Sequence, residues 1–591
     1  MTAGTPQSLR TRCLAWALLL SPALLAVVPA CKKKPVAGAP GAASSSQSGS
    51  VAHAAPPPSM ASAVPTGATL AAVALTTWVH IEPKIGQTKL GYLRSGAIVA
   101  RDDKPSGTSG CQGGWYGIKP AGYVCVGENA TLDLENPVVK VTKHRRPDLE
   151  KPMPYRYGFI RTVSPQYLKV PNKEEQLQYE FKLLPHLDFY KKHEAEINAL
   201  WPGSNDVPEA ERDKVLSKPQ VSHDAGGAKK KHKDKDDDDE ADEPAEEEKG
   251  PGLGKLSLVE LFGADGPNDK VPWWLAGPDR SIPHLSSFVA PKHAVIAGRV
   301  KRHTGLAFIG AFETPEENML RRFAITTDLR LVPIDKLKPN VGSQWHGFSL
   351  SDDFTLPIAF AYPPEAKKDP KKRRAIKVYK GVDAGKVTED GTLFFRQAVA
   401  LTGKDKTLDG ARYFEIKDAK NPGRWVKKDD IIIARKPDEW PTYAKGDQKW
   451  LDVSIIKQTM ILWEGDKPVY VTLVSTGQDG IGDPKTTKST VRGTYKIREK
   501  HVTTTMDANE VGNKFELRDV PWVQYFEAGY ALHAAYWHDV YGTPRSHGCI
   551  NMAPIDARKV FMWTDPPLPQ GWHAVQAHEE TGNGTIVYTH I

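Results

Sequence analysis

The sequence predicts a mainly β protein: small β modules and disordered linkers lead into one larger, strand-rich C-terminal domain. Three observations carry this reading. The chain is 591 residues long, more than a single hydrophobic core normally supports. From residue 72 onward, short β-branched and aromatic runs recur between clusters of Gly, Pro, Asp and Ser. Two biased stretches, one rich in Ala, Pro, Gly and Ser and one reading KKKHKDKDDDDE, have too little apolar content to fold.

Residues 1–30 carry Arg10 and Arg12 ahead of the apolar run LAWALLLSPALLAVV, with Ala30 before Cys31. This is the anatomy of a secretory signal, since the run is short for a membrane span and Pro22 interrupts it. Val28-Pro29-Ala30-Cys31 resembles a bacterial lipobox, which implies cleavage before Cys31 and a lipid on its sulfur. The mature chain would then be anchored to a membrane rather than span it. The competing reading is an ordinary cleaved signal with an incidental cysteine. Lysine at position 32 resembles the pattern of lipoproteins sent to the outer membrane of Gram-negative bacteria, so an exported, periplasmic, membrane-anchored protein is expected. Residues 31–71 read as a disordered Ala/Pro/Ser tether.

The five cysteines sort by position. Cys13 leaves with the signal, and Cys31 is the expected lipid anchor. In an oxidising compartment the neighbouring Cys111 and Cys125 are the natural disulfide pair. Cys549 is left over, and nucleophilic chemistry is one reason for an exported protein to keep an odd thiol. The formal net charge of +8 is small for this length and includes Lys32, Lys33 and Lys34. No nucleic-acid module is present, so nucleic acid is not an expected partner. A surface lying against an anionic envelope accounts for the charge.

Residues 72–133 contain TTWVHI, GAIVA, GWYGIK and GYVCVG, the texture of a small all-β barrel that resembles the SH3-like domains of bacterial cell-wall proteins. Residues 136–223 form a mixed region of unassigned role. It holds YGFIRTV and a helix through KEEQLQYEFKLLPHLDFYKKHEAEINAL that Pro185 should interrupt. Residues 224–252 read as a charged disordered insertion, because DDDDE lacks the spaced ligands and turn glycine of a calcium loop. Residues 253–370 form a β-rich module with AVIAGRV, GLAFIGAF, RFAITT and LRLVPI. Residues 374–436, with IKVYKGV, ARYFEI and WVKKDDIIIA, again resemble an SH3-like unit.

The last domain, residues 449–577, opens with KWLDVSIIKQTMILW, a turn at Glu464-Gly465-Asp466-Lys467, and PVYVTLVSTG, which together predict a β-hairpin. A Gly, Asp and Thr rich loop, a GTYKI strand and PWVQYFEAGYALHAA follow. The segment YALHAAYWHDVYGTPRSHGCINM, residues 530–552, places His533 and His547 upstream of Cys549. A free thiol titrates near about 8.5, so an imidazole that accepts its proton raises the reactive fraction. His547 is the rival base by adjacency; residues two apart share a face only in a regular strand, and Gly548 permits an irregular turn. A zinc site from His533, His538, His547 and Cys549 is the metal alternative. The segment is explained without a metal, and no cofactor is expected.

Four elements of this domain resemble the L,D-transpeptidase catalytic domain of bacterial cell-wall enzymes. They are Val474-Ser475-Thr476-Gly477, the GTYKI strand, Ala531-Leu532-His533, and Ser546-His547-Gly548-Cys549-Ile550-Asn551. The resemblance implies a β-sandwich with Cys549 as nucleophile and His533 as general base, oriented by the carbonyl of Ala534. Many relatives have glycine where Ala534 stands, which matters little if only its carbonyl is used. It also implies that His547 shapes the site, that the amides of His547, Gly548 and Cys549 form an oxyanion hole, and that Ser546 and Asn551 hold the loop. Tyr530, Trp537, His538 and Arg545 flank the pocket and are placed to meet a peptide stem, Arg545 through a carboxylate.

The activity so implied is acyl transfer on peptidoglycan stem peptides. Cys549 would attack the amide between the third residue and the terminal D-residue of a tetrapeptide stem, releasing D-alanine and leaving a thioester. An amine of a second stem or of a protein would resolve it; water would make the same site an L,D-carboxypeptidase or endopeptidase. The reading from another class is a non-catalytic wall-binding scaffold in which the SH3-like modules carry the function.

Overall fold

The computed structural model describes residues 65–86, 88–197, 270–276, 294–369, 372–507 and 516–591, with a few further positions between 262 and 293. The expected signal, the Cys31 lipid site, most of the tether and the charged insertion lie outside the described residues. Among the described residues no helix is long and apolar enough to cross a membrane.

The first strands, Thr69–Ala72, Thr77–His80, Lys89–Leu93, Ile98–Ala100, Trp115–Gly117, Tyr123–Cys125 and Ala130–Thr131, are short and separated by turns. Cys111 and Cys125 form a disulfide with an S–S distance of 2.07 Å, beside the fully buried Trp115. They pair in two groups linked by a bridge between Arg101 and Ile118, and one strand also pairs outside them. Lys89–Leu93 pairs antiparallel with Ala574–Gln576 near the C-terminus, Gly91 opposite Val575. Gly91 is required there, because a Cβ would lie 2.1 Å from the carbonyl oxygen of Ala574.

Residues expected to form two separate regions, 136–223 and 253–370, share one sheet. Arg156–Ile160 pairs with Gly305–Glu313 on one side and Leu337–Asn340 on the other. Ser164–Tyr167 pairs with Ile296–Val300 and Leu331–Pro333. The physical reason is that a two-strand fragment cannot bury its apolar face alone. The expected helix is two helices, Lys173–Tyr179 and Leu183–Ile197. The first carries a capping box between Asn172 and Glu175. The break falls at Lys182, φ +49°, and not at Pro185. Pro185 lies in the first turn of the second helix, where its missing N–H is not needed.

A second boundary also moves. Ile358–Ala361, expected in the preceding module, pairs with Ala398–Leu408 and Ile431–Ala434. It thereby completes a sheet with Ile376–Lys380, Thr388–Leu393, Ala411–Ile416 and Trp425–Lys427.

The C-terminal domain is a sandwich. The expected hairpin about Glu464–Lys467 is present between Thr459–Glu464 and Lys467–Leu473, but its first arm is only the second half of KWLDVSIIKQTMILW: Lys449–Ser454 is a separate strand, joined through a turn with Gln458 at φ +55°, which makes a meander. Ile586–His590 then pairs parallel with Lys449–Ser454, so this sheet extends past residue 577. The facing sheet contains Glu499–Asp507, Glu516–Glu527, Tyr530–Ala534 and Ile550–Met552. Leu451, Leu462 and Val587 of one sheet meet Trp522, Leu532 and Ile550 of the other in one core. A helix the sequence reading did not anticipate, Pro554–Trp563, follows the last of these strands. Its Asp556 accepts from Tyr470 Oη (2.6 Å), Thr472 Oγ1 and the Gly347 amide (3.0 Å), tying the connecting segment to the sandwich.

A buried polar junction joins three parts of the chain. Arg94 of the first strands pairs with Asp519 at 2.5 Å. Thr503 and Thr327 donate hydroxyls to the same carboxylate at 2.8 and 2.6 Å, and Tyr157 Oη donates to the Asp519 carbonyl at 2.8 Å. Burial pushes the Asp519 carboxyl up, but Arg94 and the two hydroxyls outweigh it and hold it below its ordinary range. Asp519→Ala would strand a buried guanidinium, so a loss of about 3–5 kcal/mol is expected in denaturant unfolding; a loss under about 1 kcal/mol would contradict the junction's role. Because the folded carboxyl titrates low, its contribution is full above the unfolded carboxylate pKa of about 4 and fades as pH falls below it.

Candidate functional site

The site is built on a parallel strand pair. Leu532 lies opposite Ile550, His533 opposite Asn551, and Ala534 opposite Met552. Leu532, Ala534, Ile550 and Met552 face the sandwich core. By alternation, Ala531, His533, Cys549 and Asn551 emerge on the other face. Cys549 packs there on a floor of Leu517, Val520, Val523 and Ala531. Its sulfur lies 3.7 Å from the Gly529 carbonyl.

His533 is 3% exposed. Its Nδ1 lies 3.1 Å from the carbonyl oxygen of Ala534, an arrangement in which Nδ1–H donates and Nε2 carries the lone pair. Trp537 stacks on the ring, centroids 5.6 Å apart at 28°. Burial pulls the imidazole down to about 4, only partly opposed by the Ala534 carbonyl. Burial pushes the Cys549 thiol up, although the residue keeps partial solvent access. Both shifts favour the uncharged forms, so the resting site holds a thiol and a neutral imidazole.

The turn before the thiol is fixed by backbone pairing with residues 474–478. Ser475 and Asn551 exchange both backbone bonds at 2.9 Å, and the amides of Arg545 and Ser546 donate to Thr476 O. Gln458 pins Thr476 in turn, accepting from its amide at 2.8 Å. Thr490 Oγ1 donates to the Gly548 carbonyl at 2.7 Å and accepts from the Gly477 amide at 2.9 Å. Gly548 has φ +125°, and a Cβ would stand 2.7 Å from the Tyr530 ring. Its amide, expected in an oxyanion hole, donates instead to Ser546 Oγ at 3.0 Å. That hydroxyl lies two residues back in the same turn and itself donates to the Cys549 carbonyl.

The remaining expected residues divide. Tyr530 covers Gly548 and donates to Pro484 O at 3.1 Å. Asn551 is buried, with its Nδ2 3.0 Å from Nε2 of His538. His538 is driven down to about 3, by burial first and then by Arg545. His547 and Arg545 are exposed. Among the described residues no group of three or more His, Cys, Asp or Glu side chains is arranged to hold a metal, and this includes His533, His538, His547 and Cys549.

Supports outside the expected set are Gln458, Thr490 and Asp539. Asp539 pairs with Arg373 at 2.7 Å and Arg396 at 2.8 Å and accepts from Ser343 at 2.7 Å. No local pattern marks them, because their partners lie far away in sequence.

Residues 448–588 match the family described as YkuD, the L,D-transpeptidase catalytic domain. Similar solved structures include an L,D-transpeptidase from Xylanimonas cellulosilytica: 19% identity, 27% of this chain, 64% of that one, TM-score 0.18. The catalytic domain of the Enterococcus faecium L,D-transpeptidase is 20% identical, covering 24% of this chain and 98% of that one, TM-score 0.19. An L,D-transpeptidase from Stackebrandtia nassauensis is 23% identical, covering 26% and 61%, TM-score 0.18. The chain thus spans less than two thirds of the Xylanimonas structure and 50% of a longer E. faecium one. No curated protein matches the chain.

Two outcomes follow from the geometry. Gly548→Ala should slow alkylation of Cys549 by iodoacetamide at least about tenfold, because backbone strain and the Tyr530 clash fall beside the thiol. Gly480→Ala, at φ +61° with nothing within 4 Å, should stay within about twofold; equal effects would refute the steric account. Since the imidazole is neutral above about pH 4 and the thiol is raised, alkylation should climb through neutral pH into the alkaline range. A plateau reached below about pH 6 would instead reveal a preformed thiolate–imidazolium pair.

Proposed function

We propose that the C-terminal domain is a cysteine-dependent L,D-transpeptidase acting on peptidoglycan stem peptides. The observation that carries the reading lies within the segment matching that catalytic domain. There an unpaired, partly exposed Cys549 sits on the same face as a buried His533 whose Nδ1 is committed to Ala534 O, leaving Nε2 free to accept a proton.

The chemistry balances with these groups alone. As the sulfur attacks the carbonyl carbon between the third and fourth residues of a tetrapeptide stem, the thiol proton passes to His533 Nε2. The C–S bond forms and the carbonyl becomes an oxyanion. With the Gly548 amide held by Ser546, the oxyanion falls to the amides of His547 and Cys549. The C–N bond then breaks, and the imidazolium returns its proton to the departing D-alanine amine. An acceptor amine attacks the thioester carbon, its proton leaves by way of His533, and the thiol is restored. An amine of a second stem gives a cross-link, an amine on a protein attaches that protein, and water gives the carboxypeptidase product. His533 serves as base in preference to His547 because its ring is buried, stacked and fixed at one nitrogen. A lipid on Cys31 and the tether after it would hold the domain within reach of the wall from the membrane, in the periplasm.

Incubating the purified protein with muropeptides, followed by mass spectrometry of the products, tests this. Wild type should release D-alanine and form cross-linked or hydrolysed products, and Cys549→Ala should form none. His533→Ala should lower turnover at least about 100-fold and more than His547→Ala does. Identical products from wild type and Cys549→Ala would end the enzyme reading; the reverse order of the histidine variants would move the base to His547.

A further inference from the structure

The middle sheet reaches the face of the sandwich that carries the thiol. Gly305 of that sheet pairs in parallel with Leu517, and a Cβ on Gly305 would meet Tyr536 Oη at 2.5 Å and Phe159 Cε1 at 3.2 Å. Along Arg156–Ile160 the side chains alternate. Ile160 enters the module's own core, while Tyr157 and Phe159 turn toward the catalytic domain. Tyr157 and Phe159 meet Tyr536 with ring centroids 4.7 and 5.7 Å apart. Tyr157 is fully committed: it is 2% exposed and donates to the Asp519 carbonyl. Phe159 is half-buried and packs, with Trp537 and Cys549, on the floor of Leu517, Val520, Val523 and Ala531. Trp537 in turn stacks on His533. An aromatic edge from more than three hundred residues upstream therefore borders the same apolar floor as the thiol.

We infer that Phe159 is a specificity-determining residue of the Cys549 site: it forms one wall of the donor cleft and covers an apolar part of the stem peptide beside the amide under attack. The inference rests on the function proposed above. It assigns the middle module a place in substrate recognition rather than a spacer's role. The wall and floor carry no charged side chain, so they favour a donor whose residue at this wall is aliphatic and disfavour one that buries a charge there.

The test uses the full chain with a tetrapeptide muropeptide donor. Phe159→Ala should raise the donor KM about tenfold, the scale of a lost apolar contact, and leave kcat within about threefold. Alkylation of Cys549 by iodoacetamide, which is too small to need the wall, should stay within about twofold of wild type. Phe159→Leu keeps apolar bulk and should fall between wild type and Phe159→Ala; if the alanine variant does not fold, as read by its melting temperature, the leucine variant's KM decides. An unchanged KM overturns the inference. So does a fall in kcat alone, which would make Phe159 a prop for His533 through Trp537. A wild type without turnover brings down the proposed function and this inference with it, whereas an active wild type with an indifferent Phe159 brings down this inference alone.

Discussion

The parallel pairing of Tyr530–Ala534 with Ile550–Met552 is the constraint on which the rest of the site depends. Parallel neighbours cannot be joined by a tight turn, so the chain must leave the sheet and return. Here the crossover contains no helix. It is a loop that carries Trp537, His538, Asp539, Arg545 and Ser546, and its backbone must find partners elsewhere. Residues 474–476 accept its amides, Tyr541 Oη donates back to the Ala535 carbonyl at 2.7 Å, and Arg373 and Arg396, from segments flanking the strands of a neighbouring sheet, grip Asp539. Trp345 stacks on Tyr541 at 6.0 Å, and Gly542 packs so closely on Tyr362 that a Cβ would stand 2.5 Å from its ring. The preceding modules thus brace the loop that aims the thiol.

Charge is placed by the same logic. Among the buried ion pairs, Arg94 with Asp519 and Arg396 with Asp539 join separate parts of the chain, while Arg321 with Glu180 and Asp335 lies inside one module. Buried pairs of this kind fix geometry more than they add stability. Cys549 and His533 have no carboxylate partner: the group on His533 Nδ1 is a carbonyl. Under the proposed chemistry, a neutral thiol and a neutral imidazole in a poorly solvated setting would need no charge separation until the substrate carbonyl is present to receive the electron pair, which would keep the thiol quiet between turnovers.

The sequence is most informative where chemistry is local. Ser546 to Asn551 and His533 are legible from a short motif and its family resemblance, and Cys549 as the odd thiol from the cysteine count. The short strands are legible from alternation and turn residues. Module boundaries are less so, because a strand's partners are set by burial across the whole chain. Ile358–Ala361 looks like the end of one unit and pairs with another, and Lys89–Leu93 finds its partner near residue 575. The helix Pro554–Trp563 is hidden by its length and by a proline that reads as a breaker but sits at the first helical position. Gln458, Thr490 and Phe159 carry no local mark, since each acts on a segment brought near only by folding.

The central claim is that Cys549 becomes acylated by a stem peptide. Intact-protein mass spectrometry after brief exposure to a disaccharide–tetrapeptide, without an amine acceptor, reads this directly. The account predicts an adduct equal to the donor less D-alanine, mapped to the peptide containing Cys549 and released by hydroxylamine, as a thioester is. Loss of D-alanine from the donor with Cys549→Ala as fast as with wild type, or an adduct on another residue, would contradict it.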